Sequence, residues 1–391
     1  MSTNITLQSI KTFFTSSTGG GVLLLICVLS ALIIANSPLS EALNSLLATP
    51  IGFENESIHL KYSIKQWIDD GLMAIFFLLV GLEIKRELIS GELASPRQAA
   101  LPIFAAMGGA ILPALIYVLF NHDQPTHHGW GIPMATDIAF ALAVISMLGN
   151  KVPLSLKVFL AALAIVDDLL AILVIAIFYS SALHYTYLLY AAGIFAFLLV
   201  LNKLGVRNLV FYIIPGILMW YFIHHSGIHA TIAGVLTAMT IPTVQKGPGL
   251  PPLEKLEHSL TTPVNIFIIP LFAFANTAIT IHSDMLGGLT SPLGMGIIVG
   301  LIVGKSVGIT TTCWICIRSG LSKLPENATW KQIFGVALLG GIGFTMSIFI
   351  AMLSFDDVNI IEEGKLAILI GSLLAGIIGY LYLSSLARNK N

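Results

Sequence analysis

Twelve stretches of this chain stay apolar for about 20 residues, the length an α-helix needs to cross the hydrocarbon core of a bilayer. They fall at approximately 19–36, 66–88, 98–120, 129–148, 153–179, 184–202, 208–225, 227–242, 258–282, 294–317, 331–353 and 364–386, between charged or Gly/Pro-rich breaks. In lipid every backbone N–H and C=O must find its partner inside the segment, so runs of this kind become helices. The predicted fold class is therefore all-α transmembrane, with twelve helices forming a single transmembrane domain over residues 1–391. Composition agrees: 56% of residues are hydrophobic and only 10% charged, where a soluble domain carries about 25% charged residues. A net charge of -1 supplies no basic field for nucleic acid. The expected partners are the lipid bilayer and an ion or small solute. Residues 22–35 follow Lys11 like a signal peptide but lack a small-x-small cleavage site, so they are read as a retained first helix.

Lys and Arg are retained on the cytoplasmic side during insertion, so they test the helix count. With the N-terminus inside, the cytoplasmic segments hold Lys11, Lys85, Arg86, Arg97, Lys151, Lys157, Lys203, Arg207, Lys246, Lys255, Arg318, Lys323, Lys331, Arg388 and Lys390. Only Lys61, Lys65 and Lys365 fall outside, and Lys305 stands within a span. Miscounting one helix would scramble this asymmetry. It predicts a multi-pass protein with both termini cytoplasmic. The loop over approximately 50–62 alternates apolar and polar residues around Glu54-Asn55-Glu56, which predicts a short extracytoplasmic hairpin able to mediate a homodimer.

Four ionisable residues stand inside spans: Asp137, Asp167, Asp168 and Lys305. Each costs about 2.5–3.5 kcal/mol at a helix centre, on the order of 10 kcal/mol for the set, so something must compensate them. Asp167 and Asp168 lie about 14 residues, roughly 20 Å, in from the cytoplasmic end of their span. Neighbours on a helix point about 100° apart, so the two carboxylates cannot serve one ligand equally. Lys305 is the natural counter-ion for one of them. The oxygens of the other are then open to a hard cation or to a proton, and competition between those two is the physical content of an ion/proton exchanger. A purely structural ion pair is the bland alternative, and intramembrane carboxylates argue against it.

Two spans invite interruption. Gly129, Gly131 and Pro133 precede Thr136 and Asp137 in one, and Gly340, Gly341 and Gly343 precede Thr345 in the other. Half-helix ends expose partial charges that Asp137 and Lys305 could balance from opposite signs. Close packing of small residues is the plainer explanation of those glycines. By the charge count, the triplets at approximately 98–179 and 294–386 run in opposite senses, each with its glycine-interrupted helix in the middle. That is the pattern of an inverted-topology repeat whose two interrupted helices cross near the bilayer midplane.

Six segments carry a resemblance: ATDIAFAL from Ala135, LAIVDDLLAI from Leu163, GLEIKREL from Gly81, GIHATIAGV from Gly227, PLFAFAN from Pro270 and GIGFTMSIFIA from Gly341. Together they resemble the NhaA-type sodium/proton antiporters, over most of the chain. The resemblance implies an electrogenic, pH-regulated secondary antiporter of the bacterial inner membrane, exchanging cytoplasmic Na+ or Li+ for external protons and using no cofactor. It implies that Asp168 is the main Na+ or Li+ ligand and that Asp167, beside it at the metal-ion site, forms a proton-sensitive salt bridge to Lys305. It places Asp137 and Thr136 in the unwound helix, at the ion site or offsetting half-helix dipoles. It associates Glu83, Glu87, His229, Glu257 and His258 with pH-dependent activation. At Glu254 the chain departs from the pattern, since the best-known members carry a basic residue there, and a displaced activation pH is expected. For Glu83 and Glu87 an ordinary solvated helix end remains the competing reading.

An ion channel would use rings of charge or carbonyls along an open pore, which paired interrupted helices do not provide. An intramembrane enzyme using the Asp pair is disfavoured because Leu-Leu-Ala follows Asp167-Asp168, leaving no third carboxylate of a DDxxD motif, and no GxGD occurs. No Walker A motif is present. Cys27, Cys313 and Cys316 sit in apolar runs without the polar setting of redox chemistry. His127-His128 and His224-His225 fall at helix ends without the convergent ligands of a metal site.

Overall fold

The computed structural model describes residues 17–55, 59–180, 183–244 and 249–388. Lys11, the hairpin tip with Glu56, Lys246 and Lys390 lie outside the described residues. The chain begins with α1 (Ser17–Ala35) and α2 (Ser40–Ala48), then strands β1 (Pro50–Glu54) and β2 (His59–Ser63). A π-helical turn, Trp67–Leu72, leads into α3 (Met73–Ser90), followed by α4 (Pro96–Asn121). A 3-10 segment, Pro125–Met134, is followed by α5 (Ile138–Met147) and α6 (Leu154–Phe178). Next come α7 (Tyr185–Lys203), α8 (Val210–His224), α9 (Ile232–Thr240) and α10 (Pro252–Pro263). A π-helical turn, Val264–Ile268, joins α10 to α11 (Ile269–Asn276), and the short α12 spans Ser283–Gly288. A third π-helical turn, Gly300–Gly304, joins α13 (Pro292–Val299) to α14 (Lys305–Arg318). The chain closes with α15 (Trp330–Gly340), α16 (Phe344–Ser354) and α17 (Val358–Arg388).

Among the described residues, six helices are long and apolar enough to cross a membrane, or up to nine when each bent pair is counted as one span. The helical expectation over 227–242 shrinks to Ile232–Thr240, because Gly227 adopts φ 86° and turns the chain before α9 begins. The helix expected from 258 starts earlier, at Pro252, where proline is preorganised for the first turn, and this puts Glu254, Glu257 and His258 on α10. The helices α2 and α12 were not anticipated.

The described chain forms two compact units. One comprises residues up to Leu25, Ser90–Leu173 and from Ile281 onward, and the other comprises Ile26–Ile89 and Val174–Thr280. In the first unit α4 lies against α14, and the backbones touch. A Cβ on Gly108 or on Gly308 would collide with the other residue's carbonyl oxygen, so only glycine permits this approach. In the second unit β1 and β2 pair antiparallel, Ile51 opposite Tyr62 and Phe53 opposite Leu60. Trp67 Nε1 donates to the Ile51 carbonyl at 2.9 Å and so pins β1 to the turn that follows.

Candidate functional site

The first unit contains two broken helices. The 3-10 segment Pro125–Met134 meets α5 at a 45° bend, and α15 meets α16 at 46°. Each break leaves amides and carbonyls without a partner on their own helix, and several of these groups are satisfied by the other break. Asp137 N–H donates to the Ile342 carbonyl at 2.7 Å, and Thr136 Oγ1 donates to the Gly340 carbonyl, at the end of α15, at 2.7 Å. In return Ser347 Oγ donates to the Ile132 carbonyl at 2.7 Å. Asp137 is the N-cap of α5, with its Oδ1 accepting from Phe140 N–H at 3.0 Å. Its Oδ2 accepts from Thr345, from the hydroxyl at 2.5 Å and from N–H at 3.2 Å. One carboxylate therefore serves the N-termini of two half-helices, where the partial positive charge of each dipole favours it.

Against this junction lies the buried ion pair. Lys305 opens α14 directly after the π-helical turn, and its Nζ donates to Asp167 Oδ2 at 2.6 Å and to Thr136 Oγ1 at 2.9 Å. Neither side chain of the pair has any exposure. The Thr136 hydroxyl thus gives its proton to the end of α15 and receives one from Lys305, linking the ion pair to the break. Asp167 Oδ1 is buried and accepts no hydrogen bond among the described residues. Asp168 follows on α6, 2% exposed, at the next helical position. The arrangement sets two adjoining carboxylates in an apolar interior, one of them holding a lysine and still presenting an open acceptor oxygen. Such oxygens are ligands for a hard cation or a proton.

A family model described as Na+/H+ antiporter 1 matches residues 11–383. The chain belongs to that family. It is 61% identical over 387 residues to the Na(+)/H(+) antiporter NhaA 2 of Flavobacterium johnsoniae, covering 99% of this chain and 95% of that one. It is 49% identical over 381 residues to the Na(+)/H(+) antiporter NhaA of Escherichia coli O139:H28, covering 96% and 98%. The solved structure of the sodium proton antiporter MjNhaP1 from Methanocaldococcus jannaschii at pH 8 matches with a TM-score of 0.51 at 13% identity, covering 98% of this chain and 97% of that one. At that identity the likeness is one of fold. Membership in this family, together with the apolar helices, makes the chain a multi-pass membrane protein.

The second unit holds the other candidate residues of this family member. Arg86 on α3 bridges two carboxylates, with Nε at 3.0 Å from both oxygens of Glu257 and Nη1 at 3.0 Å from Glu87 Oε1. Glu87 and Glu257 are buried, so Glu87 is not part of a solvated helix end. Glu83 lies one turn earlier on α3. Glu254 and His258 share α10 with Glu257, His258 on the exposed side, and His229 sits in the turn before α9. Sequence reasoning passed over Arg86 as a member of this cluster, although it lies between the two candidates in GLEIKREL. It also passed over Ser347, whose hydroxyl donates to Ile132 across the break. Hydroxyls in apolar runs carry no signal of their own, because their importance lies in the backbone group they meet.

Proposed function

We propose that the protein exchanges Na+ for H+ across the membrane, at a site built from Asp168 and Asp167. The observation that carries the reading is the fully buried Lys305–Asp167 pair, held by Thr136 at the junction of two helix breaks, with Asp168 adjoining. In this reading Asp168 is the principal cation ligand. Asp167 passes between lysine-paired and protonated or cation-facing states, and Asp137 keeps the two half-helix N-termini in register. Facing the cytoplasm, the carboxylates release protons and take Na+ or Li+. Facing outward, protons displace the ion, so exposure alternates around one fixed site. Proton and cation cannot occupy the same oxygens, and that exclusion couples the two fluxes without nucleotide or cofactor. Unequal charge movement makes the exchange electrogenic.

The same proposal holds that the chain makes twelve crossings as one transmembrane domain, with the triplets at approximately 98–179 and 294–386 as inverted repeats and their interrupted helices crossing near mid-membrane. The bent pairs and their reciprocal hydrogen bonds support it. It places the protein in the bacterial inner membrane with cytoplasmic termini, on the Lys/Arg asymmetry. It assigns pH regulation to Glu83, Glu87, His229, Glu254, Glu257 and His258, supported by the buried Arg86–Glu87–Glu257 cluster. A homodimer forms through the hairpin, whose Ile51 and Phe53 are 54% and 61% exposed on one face of β1.

Everted vesicles with an acid lumen and a pH-sensitive dye, challenged with Na+, Li+ and K+ across a pH series, test exchange directly. Addition of Na+ or Li+ releases luminal protons and restores fluorescence, and Asp168→Asn abolishes the response. Full exchange by Asp168→Asn overturns the ligand assignment, and silence of the unaltered protein toward every cation overturns the function.

A further inference from the structure

The start of α16 faces protein and not water, so each of its first amides needs an interior partner. Thr345 N–H is taken by Asp137 Oδ2 at 3.2 Å, and Ser347 N–H by the Gly343 carbonyl at 3.0 Å. The Phe344 N–H, one residue ahead of Thr345, is met from another helix: it donates to Ser372 Oγ of α17 at 3.0 Å. Phe344 is 4% exposed and Ser372 is 5% exposed, so water does not substitute for that contact. Ser372 stands in a run of glycine, alanine, leucine and isoleucine, GSLLAGIIG. A helical serine in such a run commonly turns its hydroxyl back on its own helix, whereas here the oxygen is an acceptor for a neighbouring helix break.

We propose that Ser372 is a positioning residue for ion exchange, holding the Phe344 amide so that Thr345 presents both its N–H and its hydroxyl to Asp137. From Asp137 the chain of contacts is short. Its own N–H is fixed to Ile342, its neighbour Thr136 caps Gly340, and the Thr136 oxygen receives Lys305, which holds Asp167. Ser372 touches none of the ionisable groups and takes no part in binding or protonation. Its effect is on where the ligands stand before the ion arrives. Alanine at this position leaves the Phe344 amide buried with nothing to donate to. The start of α16 must then move to relieve that amide, and with it Thr345 and the junction that supports Lys305 and Asp167.

This inference rests on the proposed exchange reaction, and the experiment separates the two. Purified protein is reconstituted in proteoliposomes, rates are normalised to inserted protein, and Na+ is titrated at fixed pH and clamped membrane potential. Ser372→Ala raises the apparent KM for Na+ by about tenfold, the loss of one buried hydrogen bond, while the rate at saturating Na+ changes far less. Ser372→Thr keeps the hydroxyl and restores the KM. A serine that mattered only for folding would lower the amount of inserted protein and leave the normalised KM alone. Should Ser372→Ala accumulate too poorly to assay, Ser372→Cys replaces the acceptor by a weaker one, and an intermediate KM is expected. An unaltered KM in Ser372→Ala or Ser372→Cys, or a Ser372→Thr protein no better than Ser372→Ala, overturns the inference while the exchange reading stands. Absence of Na+-dependent exchange by the unaltered protein removes both.

Discussion

At the scale of single residues, the energetics turn on groups that cannot be solvated. Lys305 and Asp167 compensate each other at 2.6 Å with no exposure on either side. Removing one partner leaves the other buried alone, a change that costs about 3–5 kcal/mol. Asp167→Asn is therefore expected to lower the thermal unfolding midpoint of the detergent-purified protein well below that of the parent, and Asp167→Asn/Lys305→Met should recover most of the loss. A single variant as stable as the parent would show that the pair is not compensating. Thr136 makes a subtler test, because one hydroxyl serves both the Gly340 carbonyl and the Lys305 ammonium. Thr136→Val is expected to cost about 1–3 kcal/mol and Thr136→Ser much less, measured by the same unfolding series.

At the scale of elements, the site depends on how closely α4 and α14 approach. The backbones meet at Gly108 and Gly308, one turn beyond Lys305, so bulk at that contact displaces the helix that carries the lysine. Gly308→Val is expected to destabilise the protein by about 1–3 kcal/mol or more and to impair exchange even though no polar group is altered; normal rates and stability would show that the contact is loose. Much of the architecture can be read from the chain because lipid imposes one rule, that apolar runs of sufficient length become helices. Positions 137, 167, 168 and 305 stand out for the same reason, being charged where charge is costly. Beyond the expectation that Lys305 meets one of the two aspartates, what these residues touch cannot be read that way. The partners of Thr136 and Asp137 lie more than 200 residues away, at Gly340 and Thr345, and no local pattern records such a distance. The three π-helical turns are equally silent, since Gly300–Gly304 reads as an ordinary apolar helix until the extra residue per turn is seen. The truncation of α9 had a cue in Gly227, but a glycine in a membrane helix is too common to mark an end.

For the whole molecule, the proposed orientation predicts that an impermeant thiol reagent added outside intact cells labels a cysteine placed at Lys61 and spares one placed at Asn150. The reverse pattern would invert the topology. The proposed dimer predicts that Phe53→Lys, on the exposed face of β1, shifts the purified protein toward monomer in light scattering, while exchange by the monomer persists. The division of the chain has a consequence in time. The unit that carries the site is drawn from three separate stretches of sequence, and Asp167 is made 138 residues before Lys305. At ordinary rates of translation that interval is roughly 7–28 s. Through that time the nascent carboxylate has no lysine to meet, and the unit cannot close until the last third of the polypeptide has left the ribosome. A chain cut short ahead of α13 thus leaves Asp167 buried without its lysine, however well its earlier helices are made.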